Sequence, residues 1–456
     1  MLYEEIVQQF VQRIQKGLQP PGSKLPSIRS LSQDLGCSKN TILKAYGELE
    51  KKHWIYSVPQ SGYYVVEGGK SQGRPVDEHA HRIIDFQAAG PDRHAMPYRD
   101  FQHCINQAVE RYKEEMFSYS DVQGLYSLRV QLARHLQGLQ VFTVPERIFV
   151  VTGSQQALHL LLALPFPNAK HRVCVEQPTH PGMMESLRQL GISAVGIEVG
   201  EGGINLKRLE ELFKHNDIKI FYTVTRFHNP TGCSHTNAAR RKIVELAQRY
   251  DVYIVEDDYM GDLDTDAKSD PMFAFDPSGR VIYVKSFSKV MLPGLRLGLA
   301  VLPDELHESF TRAKSAADVH SPVLMQGALE IYLQSGMFDM HIERMRQLYS
   351  RKAALLQEAY RTWLTELASF SQAASGFYST ITLPAPLKAV QVAEHLKHKH
   401  VLVDPADRMY MAEAASNNVI RISVSQVKEE WIDEGVRMIA EATEELMGMR
   451  NQVRFV

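Results

Sequence analysis

From residue 83 onward, the chain alternates short runs rich in β-branched and aromatic residues with longer segments that have the apolar spacing of amphipathic helices. The β-rich runs lie at residues 147–152, 172–176, 194–199, 219–224, 252–256, 281–285 and 299–302. Segments of helical length, such as 155–164, 182–190 and 237–250, separate most of them. This alternation is typical of a mostly parallel sheet with helices on both faces and ligand groups at the carboxyl ends of its strands. We therefore expect an α/β domain whose chemistry lies just after these runs.

The run at 281–285 leads into a stretch that combines two hydroxyls, an amine and a guanidinium. Ser286, Ser288 and Lys289 follow the run at once, and Arg296 lies seven residues beyond the lysine. An amine can form an imine with an aldehyde, and hydroxyls with a guanidinium can hold a phosphate, so the stretch suits pyridoxal 5'-phosphate. Taken alone, it is equally compatible with a solvated surface lysine.

Two further strand ends carry weaker signals. After the run at 147–152, Gly153, Ser154 and Gln155 form a glycine turn that opens a helix, where backbone N–H groups can bind an anion. After the run at 219–224, Asn229 can donate a hydrogen bond to an oxygen on the cofactor ring. By themselves, these residues are better explained as a plain glycine turn and an ordinary Asn-Pro turn.

The acidic segment after the run at 252–256 supplies the remaining chemistry. A carboxylate that faces a pyridine nitrogen keeps it protonated, and we assign this role to Asp257, with Tyr259 directed at the ring hydroxyl. The alternatives are an acidic loop or a Mg²⁺ site made of adjacent carboxylates. Because no acidic or histidine cluster stands at a comparable strand end, we expect no metal.

The first 66 residues differ from the rest in charge and in pattern. They hold eight Lys/Arg and five acids, whereas the whole chain has a formal net charge of -2. Ser27 and Ser38 can each cap a short helix, and the second helix places basic and amide side chains near its N-terminus. The runs 54–57 and 62–66 predict a hairpin around a turn. A helix-turn-helix with a wing fits this pattern, as does a small helical interaction domain.

The run Pro21–Arg29, the helix from Ser38 and the run Gly62–Val65 together resemble the winged helix-turn-helix of GntR-type bacterial regulators. The resemblance implies binding to double-stranded DNA. It also implies that residues of the two short helices and of the wing turn contact the DNA. These residues are Arg29, Ser38, Lys39, Asn40, Thr41, Lys44 and Gly62.

The domain boundary is predicted from composition. Residues 67–82 are rich in Gly, Ser, Pro and charge, which predicts a flexible linker between a domain at 1–66 and a domain at 83–456. The four cysteines lie far apart, and the N-terminus has early acids without a basic, apolar leader. We therefore expect a cytoplasmic protein without disulfides or a membrane span.

The glycine turn, the Asn-Pro-Thr-Gly motif, the Asp-x-Tyr motif and the Ser-x-Ser-Lys motif occur in this order and resemble fold-type I aminotransferases of class I. The resemblance implies a pyridoxal phosphate-dependent transferase fold over nearly all of 83–456. It assigns Lys289 to the imine, Asp257 to the ring nitrogen, and the remaining cofactor contacts to Gly153, Ser154, Gln155, Asn229, Tyr259, Ser286, Ser288 and Arg296.

Three more positions follow from the same resemblance. Tyr119 matches a tyrosine that reaches the phosphate site of the neighbouring subunit, which implies a homodimer with composite sites. Arg421 matches the arginine that binds an amino-acid carboxylate, although an isolated strand arginine is usually a surface residue. His180 stands where the family usually has Tyr or Phe; it can still stack on the ring, and its protonation would add charge there near neutral pH.

A GntR-type segment followed by an aminotransferase-like domain resembles the MocR subfamily of bacterial transcriptional regulators. That resemblance implies a DNA-binding regulator in which an amine, an amino acid or pyridoxal phosphate itself is sensed at Lys289. Two alternatives stay open. One is an active aminotransferase that carries a winged helix, since the sequence does not exclude turnover; the other is a cofactor-free dimeric DNA-binding protein.

Overall fold

In the computed structural model of the chain, the residues described are 2–20, 22–52, 54–58, 61–66, 83–200, 202–266, 268–371, 376–411 and 417–453. The chain divides into two compact units, Met1–Ala80 and His81–Val456. The predicted linker at 67–82 lies outside the described residues.

The described part of the first unit is a small helical domain with a hairpin. Its elements are α1 (Leu2–Gln15), α2 (Ile28–Asp34), α3 (Lys39–Lys51), β1 (Ile55–Val58) and β2 (Gly62–Val65). Both predicted caps form, since the side chain of Ser27 accepts from the backbone N–H of Ser30, and that of Ser38 accepts from Thr41. The two strands pair antiparallel, so the predicted hairpin is present. A core around Phe10 and Tyr46 joins α1, α3 and the hairpin.

The second unit contains the remaining elements. Its described helices are α4 (Tyr98–Tyr112), α5 (Tyr126–Gln137), α6 (Ser154–Ala163), α7 (Pro181–Gln189), α8 (Leu206–His215), α9 (Asn237–Arg249), α10 (Asp304–Asp318), α11 (Val323–Gln334), α12 (Met337–Trp363), α13 (Ala389–His398) and α14 (Ile432–Val453). Its described strands are β3 (Ile84–Asp85), β4 (Ile148–Val151), β5 (Arg172–Gln177), β6 (Ala194–Gly200), β7 (Gly203–Ile204), β8 (Ile218–Thr223), β9 (Tyr253–Asp257), β10 (Val281–Ser286), β11 (Gly298–Val301), β12 (Ser369–Phe370), β13 (Tyr378–Thr382), β14 (Val401–Leu402), β15 (Asp404–Pro405) and β16 (Val419–Ser423).

The largest sheet has the strand order β4–β11–β10–β9–β8–β5–β6–β7. The pairs β10–β9, β9–β8, β8–β5 and β5–β6 are parallel, whereas β11 runs antiparallel to both of its neighbours and β7 antiparallel to β6. Strands β4, β8, β9, β10 and β11 are buried along their whole length, as expected for a sheet covered on both faces. The predicted α/β fold with a mostly parallel central sheet is confirmed.

A second, smaller sheet has four strands, and β3 and β14 form a separate parallel pair. The four-stranded sheet has the order β12–β13–β16–β15 and is antiparallel throughout. A separate apolar core packs this sheet against α12, α13 and α14. Strand β16 carries Arg421, so this second layer brings the late part of the chain to the site described below.

No helix among the described residues is long and apolar enough to cross a membrane.

Candidate functional site

The main site lies where the central strands β8, β9 and β10 end. In the parallel register, Asp257 at the end of β9 is opposite Val284 of β10, and Ser286 ends β10 itself. Lys289 follows three residues later. The predicted carboxylate and the predicted amine therefore come from adjacent strand ends, as the strand pattern implied.

Asp257 is a buried carboxylate with one oxygen free. The Tyr222 hydroxyl, on the neighbouring strand β8, donates to Asp257 Oδ2 at 2.9 Å, while Oδ1 has no partner among the described residues. The pKa of Asp257 is raised to about 7, chiefly by burial and also by the nearby Asp258, while the Tyr222 hydrogen bond and the charge of Lys289 oppose the rise. A buried acceptor that prefers a proton suits a protonated ring nitrogen.

The acids on either side of Asp257 are used by the fold. Successive side chains of a strand point to opposite faces, so Glu256 and Asp258 lie on the face away from Asp257. Asp258 pairs with Arg226 and accepts from the Tyr283 hydroxyl at 2.6 Å. Glu256 accepts hydrogen bonds from the Thr225 hydroxyl and from the backbone N–H groups of Met272 and Phe273. The three carboxylates are therefore not an open acidic cluster.

Lys289 is half-buried within this group. Its Nζ donates to the carbonyl oxygen of Ala89 at 2.7 Å. Its charge lowers the pKa of His180 and acts on Asp257, which places the ammonium group close to both residues. Lys289 is thus electrostatically linked to both Asp257 and His180.

A glycine-lined anion cradle lies at the N-terminus of α6. Gly153 has a φ of 78°, and a Cβ there would lie 2.5 Å from Arg296 Nη2. Arg296 Nη1 also donates to Ser288 Oγ at 3.4 Å. At Gly298, a Cβ would lie 3.0 Å from the backbone nitrogen of Ser154. Ser154, Ser288 and Arg296 therefore come together around backbone that only glycine allows to approach.

Two other predicted contacts near this cradle are partly engaged elsewhere. The Ser286 hydroxyl accepts from the backbone N–H of Ser288 at 3.2 Å. The Gln155 amide nitrogen donates to the Gly182 carbonyl oxygen and to Ser186 Oγ, so it links α6 to α7 by hydrogen bonds. Both residues stay predictions as cofactor contacts.

His180 differs from the expectation in its charge state. Its pKa is lowered to about 3, chiefly by burial and also by the cations Lys289, Arg421 and Arg408. The imidazole is therefore neutral at physiological pH, and the prediction that its protonation changes the site near neutral pH is wrong. Its Nδ1 is buried without a partner among the described residues. Whether the ring stacks on a ligand stays a prediction.

Asn229 and Tyr259 approach the site from the loop after β8 and the end of β9. The buried Asn229 Oδ1 has no partner among the described residues. The Tyr259 hydroxyl donates to the Phe227 carbonyl oxygen at 2.6 Å. The single hydroxyl proton of Tyr259 is therefore already donated. Toward an oxygen on a cofactor ring, Tyr259 can act only as a hydrogen-bond acceptor.

Arg421 is not a surface residue. It is buried on β16, and its Nη2 lies 2.7 Å from Asp404 Oδ2 and donates to the Gln87 carbonyl oxygen. Its guanidinium lies 5.2 Å from the centroid of the Tyr378 ring, and its charge acts on His180 and Tyr259. It therefore belongs to the same cluster.

Tyr119 lies outside this cluster. Its side chain is 88% exposed, and its ring contacts that of His320 with centroids 5.8 Å apart. Its role in a neighbouring subunit stays a prediction.

Sequence reasoning missed three residues of the site. Tyr222 and Glu176 are polar side chains inside buried strands, a signal that was available but not used. Glu176 lies 2.7 Å from His235 Nε2 and 3.3 Å from His228 Nε2; burial alone would raise its pKa, but the two histidines hold it well below its ordinary value. Asp404 carries no sequence signal, because its role depends on the pairing of β15 with β16.

The first unit presents a separate candidate site on α3. Lys39, Asn40 and Lys44 are exposed there, whereas Ser38 and Thr41 share a hydroxyl contact of 2.8 Å at the start of the helix. Lys44 Nζ lies 4.3 Å from the centroid of the Tyr3 ring, which directs it toward α1. Lys39 and Asn40 are thus the freest polar side chains on this helix.

Two predicted DNA contacts lie outside α3. Arg29 is exposed in the first turn of α2. Gly62, which begins β2, has a φ of 124°. This angle requires glycine at the predicted wing turn.

Two family models match the chain. The model described as aminotransferase class I and II matches residues 93–439, and the model described as bacterial regulatory proteins, gntR family, matches residues 2–65. The matched regions fall within the second and the first unit, respectively.

Similar proteins cover both units. An uncharacterized HTH-type transcriptional regulator of Bacillus subtilis (strain 168), YcxD, is 43% identical over 96% of this chain and 98% of its own length. A probable rhizopine catabolism regulatory protein of Rhizobium meliloti, MocR, is 27% identical over 80% of this chain and 79% of its own length. Among solved structures, Pyrococcus horikoshii kynurenine aminotransferase in complex with PMP matches 80% of this chain and 91% of its own, with a TM-score of 0.75 and 27% identity.

Proposed function

The chain belongs to the MocR subfamily of GntR-type regulators, in which a gntR-family segment precedes a class I and II aminotransferase domain, and on this premise we propose that it is a pyridoxal phosphate-binding transcriptional regulator. In this proposal, the first unit binds double-stranded DNA. The second unit holds the cofactor at Lys289 and senses a small amine, an amino acid or the cofactor itself.

The observation that carries the proposal is a set of unpartnered buried atoms on residues at or after the ends of β5, β8 and β9, in the sheet whose strand β10 leads to Lys289. Asp257 Oδ1, Asn229 Oδ1 and His180 Nδ1 have no partner among the described residues. Buried polar atoms are rarely left unpaired in folded proteins, so such a set points to a polar ligand. The glycine-lined cradle at Gly153 and Arg296 supplies the anion site that a phosphate requires. The residues present therefore fit pyridoxal phosphate.

Pyridoxal phosphate, when bound, supplies an aldehyde that combines reversibly with amines and a ring that withdraws electrons. The chain's own residues would divide the remaining tasks. Ser154, Ser288 and Arg296 would hold the phosphate, Asp257 would keep a proton on the ring nitrogen, and Lys289 would attach the cofactor. Tyr222 fixes the orientation of Asp257, because its hydroxyl donates to Oδ2 and leaves Oδ1 to face the site.

Regulation requires the ligand to favour one state of the protein over another. A coupling free energy of about 1 to 3 kcal/mol between the two sites changes DNA affinity roughly 5- to 150-fold. A homodimer would present two copies of α3 to a two-fold symmetric operator. The exposed Tyr119 is the residue we expect to reach the partner's cofactor site.

The first test is a visible absorption spectrum of the purified protein with added pyridoxal phosphate. We expect a band for the lysine-bound cofactor in the wild type and its loss in Lys289→Ala. Lys285→Ala is not a suitable control, because Lys285 is buried against Asp262. The exposed Lys207 is the matched control, and Lys207→Ala should keep the band. A wild type without the band would refute the proposal.

The active aminotransferase is the second candidate, because Lys289 and Asp257 lie close together. In an active aminotransferase, an added keto acid would convert the amine form of the cofactor back to the aldehyde form. Sustained cycling at roughly 1 s⁻¹ or faster, the range of ordinary enzymes, would favour the enzyme over the sensor. A single slow exchange without cycling would favour the sensor.

DNA binding is tested on α3. Lys39→Ala should weaken binding to the upstream region of the neighbouring operon and reduce the slope of log affinity against log salt by about 1. Lys52, exposed at the C-terminal end of the same helix, provides a control with the same charge change. Equal loss in Lys39→Ala and Lys52→Ala would show a general charge effect and contradict a contact by α3's N-terminus.

A further inference from the structure

The family's carboxylate-binding arginine already has a carboxylate partner in this chain. Asp404 on β15 is directly opposite Arg421 on β16, so their side chains share one face of the small sheet. Asp404 Oδ2 lies 2.7 Å from Arg421 Nη2, and both side chains are 4% exposed. The pair is thus buried and set by strand register.

The hydrogen-bond donors of Arg421 can be counted. A guanidinium has five N–H groups. It can bind a carboxylate through a pair of parallel N–H groups on either of two edges, and each pair includes one N–H of the same terminal nitrogen. In this chain that nitrogen is Nη2, which contacts Asp404 Oδ2 and donates to the Gln87 carbonyl oxygen at 2.7 Å. Nη2 therefore has a carboxylate oxygen and a carbonyl oxygen at short distance, and Nε is buried without a partner among the described residues. A ligand carboxylate on either edge of Arg421 would have to share Nη2 with Asp404.

A ligand carboxylate would not easily displace Asp404. Arg408 Nη2 donates to the same Asp404 oxygen at 2.9 Å, from the short helix Ala406–Met409. Asp404 is thus held by two arginines and by its strand. A second carboxylate next to it would be repelled, because like charges close together in a buried site disfavour each other.

We propose that Asp404 takes the place of a ligand carboxylate on Arg421, and that the effector is a primary amine with no carboxylate on the carbon that bears the amino group. The inference rests on the proposed sensing of amines at Lys289. It narrows the effector class from amino acids and amines to amines alone. The Nε–H of Arg421, which has no partner among the described residues, would donate to a neutral oxygen of such a ligand.

The wild type alone tests the proposal through matched ligands. L-alanine and ethylamine, and L-serine and ethanolamine, differ only by the carboxylate. Each is titrated into the cofactor-loaded protein and followed by the change in visible absorbance, with concentrations expressed as the unprotonated amine. We expect the two members of each pair to bind within about threefold of each other. Tenfold or tighter binding of the amino acids, the gain expected from a charged hydrogen-bonded fork, would overturn the proposal.

The substitution Asp404→Asn tests the residue itself. Asparagine keeps an oxygen for Arg421 but removes the charge, so L-alanine should bind about tenfold more tightly while ethylamine is unchanged. Asp407, on the short helix next to Arg408, is the control, and Asp407→Asn should leave both affinities unchanged. An unchanged ratio of L-alanine to ethylamine in Asp404→Asn would refute the role of Asp404.

A third measurement does not depend on the cofactor. Propionate, a carboxylate without an amine, is added to the apoprotein and thermal unfolding is followed. The wild type should not be stabilised, whereas Asp404→Asn should be, because the negative charge that repels a second carboxylate next to Arg421 is then gone. Stabilisation of the wild type would overturn the inference.

The measurements separate the two proposals. If no amine changes the absorbance of the loaded protein, sensing at Lys289 fails, and propionate still decides the role of Asp404. If Asp404→Asn does not fold, because a buried arginine has lost its partner, the wild-type comparisons with matched ligands and with propionate decide the inference.

Discussion

The substitution Asp257→Asn should stabilise the protein without cofactor, and the same change at the next residue should do the opposite. Burial raises the pKa of Asp257 from 3.8 to about 7. Above pH 4, ionisation of this carboxyl lowers the free energy of the unfolded chain, whereas the folded chain keeps the carboxyl protonated up to about pH 7. Stability is therefore lost as pH rises through this window.

The size of the effect follows from the pKa. Each pKa unit by which the folded and unfolded states differ corresponds to about 1.4 kcal/mol. The raised pKa of Asp257 therefore lowers the free energy of unfolding by about 4 kcal/mol at pH 8. Asparagine does not titrate and still accepts from the Tyr222 hydroxyl. Asp257→Asn should therefore be more stable than the wild type by up to about 4 kcal/mol at pH 8 and equal to it near pH 4.

Asp258→Asn is the matched control. Asp258 is buried; burial alone would raise its pKa, but Arg226, Lys285 and the Tyr283 hydroxyl hold it below its ordinary value. Removal of its charge leaves a buried arginine without its ion-pair partner and should cost about 3 to 5 kcal/mol.

The assay is urea unfolding of the apoprotein at several pH values. The free energy of unfolding of each variant is compared with the wild type. With pyridoxal phosphate present, the advantage of Asp257→Asn should vanish and its cofactor affinity should fall. If Asp257→Asn is no more stable than the wild type at pH 8, or if the difference does not depend on pH, the account of Asp257 as a buried acid with a free oxygen is wrong.

Three further outcomes are expected. Gly153→Ala should weaken cofactor binding at least tenfold in a spectral titration, because its Cβ would lie 2.5 Å from Arg296 Nη2; unchanged affinity would contradict the phosphate cradle. His180→Phe should leave the pH dependence of the bound cofactor's spectrum between pH 5 and 8 unchanged, because the pKa of His180 is lowered to about 3; a lost titration in that range would contradict this. Ser38→Ala should cost about 1 kcal/mol in the unfolding of the first unit, since it removes the cap of α3; equal melting curves would argue against the cap.

The strands and the motifs at their ends could be predicted from the sequence because their signals are local. A buried strand of a parallel sheet is a continuous apolar run, and β8, β9 and β10 each lie within two residues of the predicted bounds. The caps at Ser27 and Ser38 are equally local, since each side chain bonds a backbone N–H three residues ahead. The choice of Asp257 among three adjacent acids agrees with its free oxygen.

The state of each site residue depended on contacts between distant parts of the chain. The neutral imidazole of His180 results from burial and from three cations that are far away in sequence. The engagement of the Tyr259 hydroxyl by Phe227 could not be inferred from the Asp-x-Tyr motif.

What the sequence by itself determined is the order of strands and helices, the helix caps and the identity of the groups at each strand end. What only the tertiary structure decided is which of those groups are free. Arg421 shows the difference, because its motif predicts a fork for a carboxylate, whereas the pairing of β15 with β16 places Asp404 on that fork. Motifs report which side chain is present, but the hydrogen bonds still available to it depend on neighbours that folding brings from elsewhere in the chain.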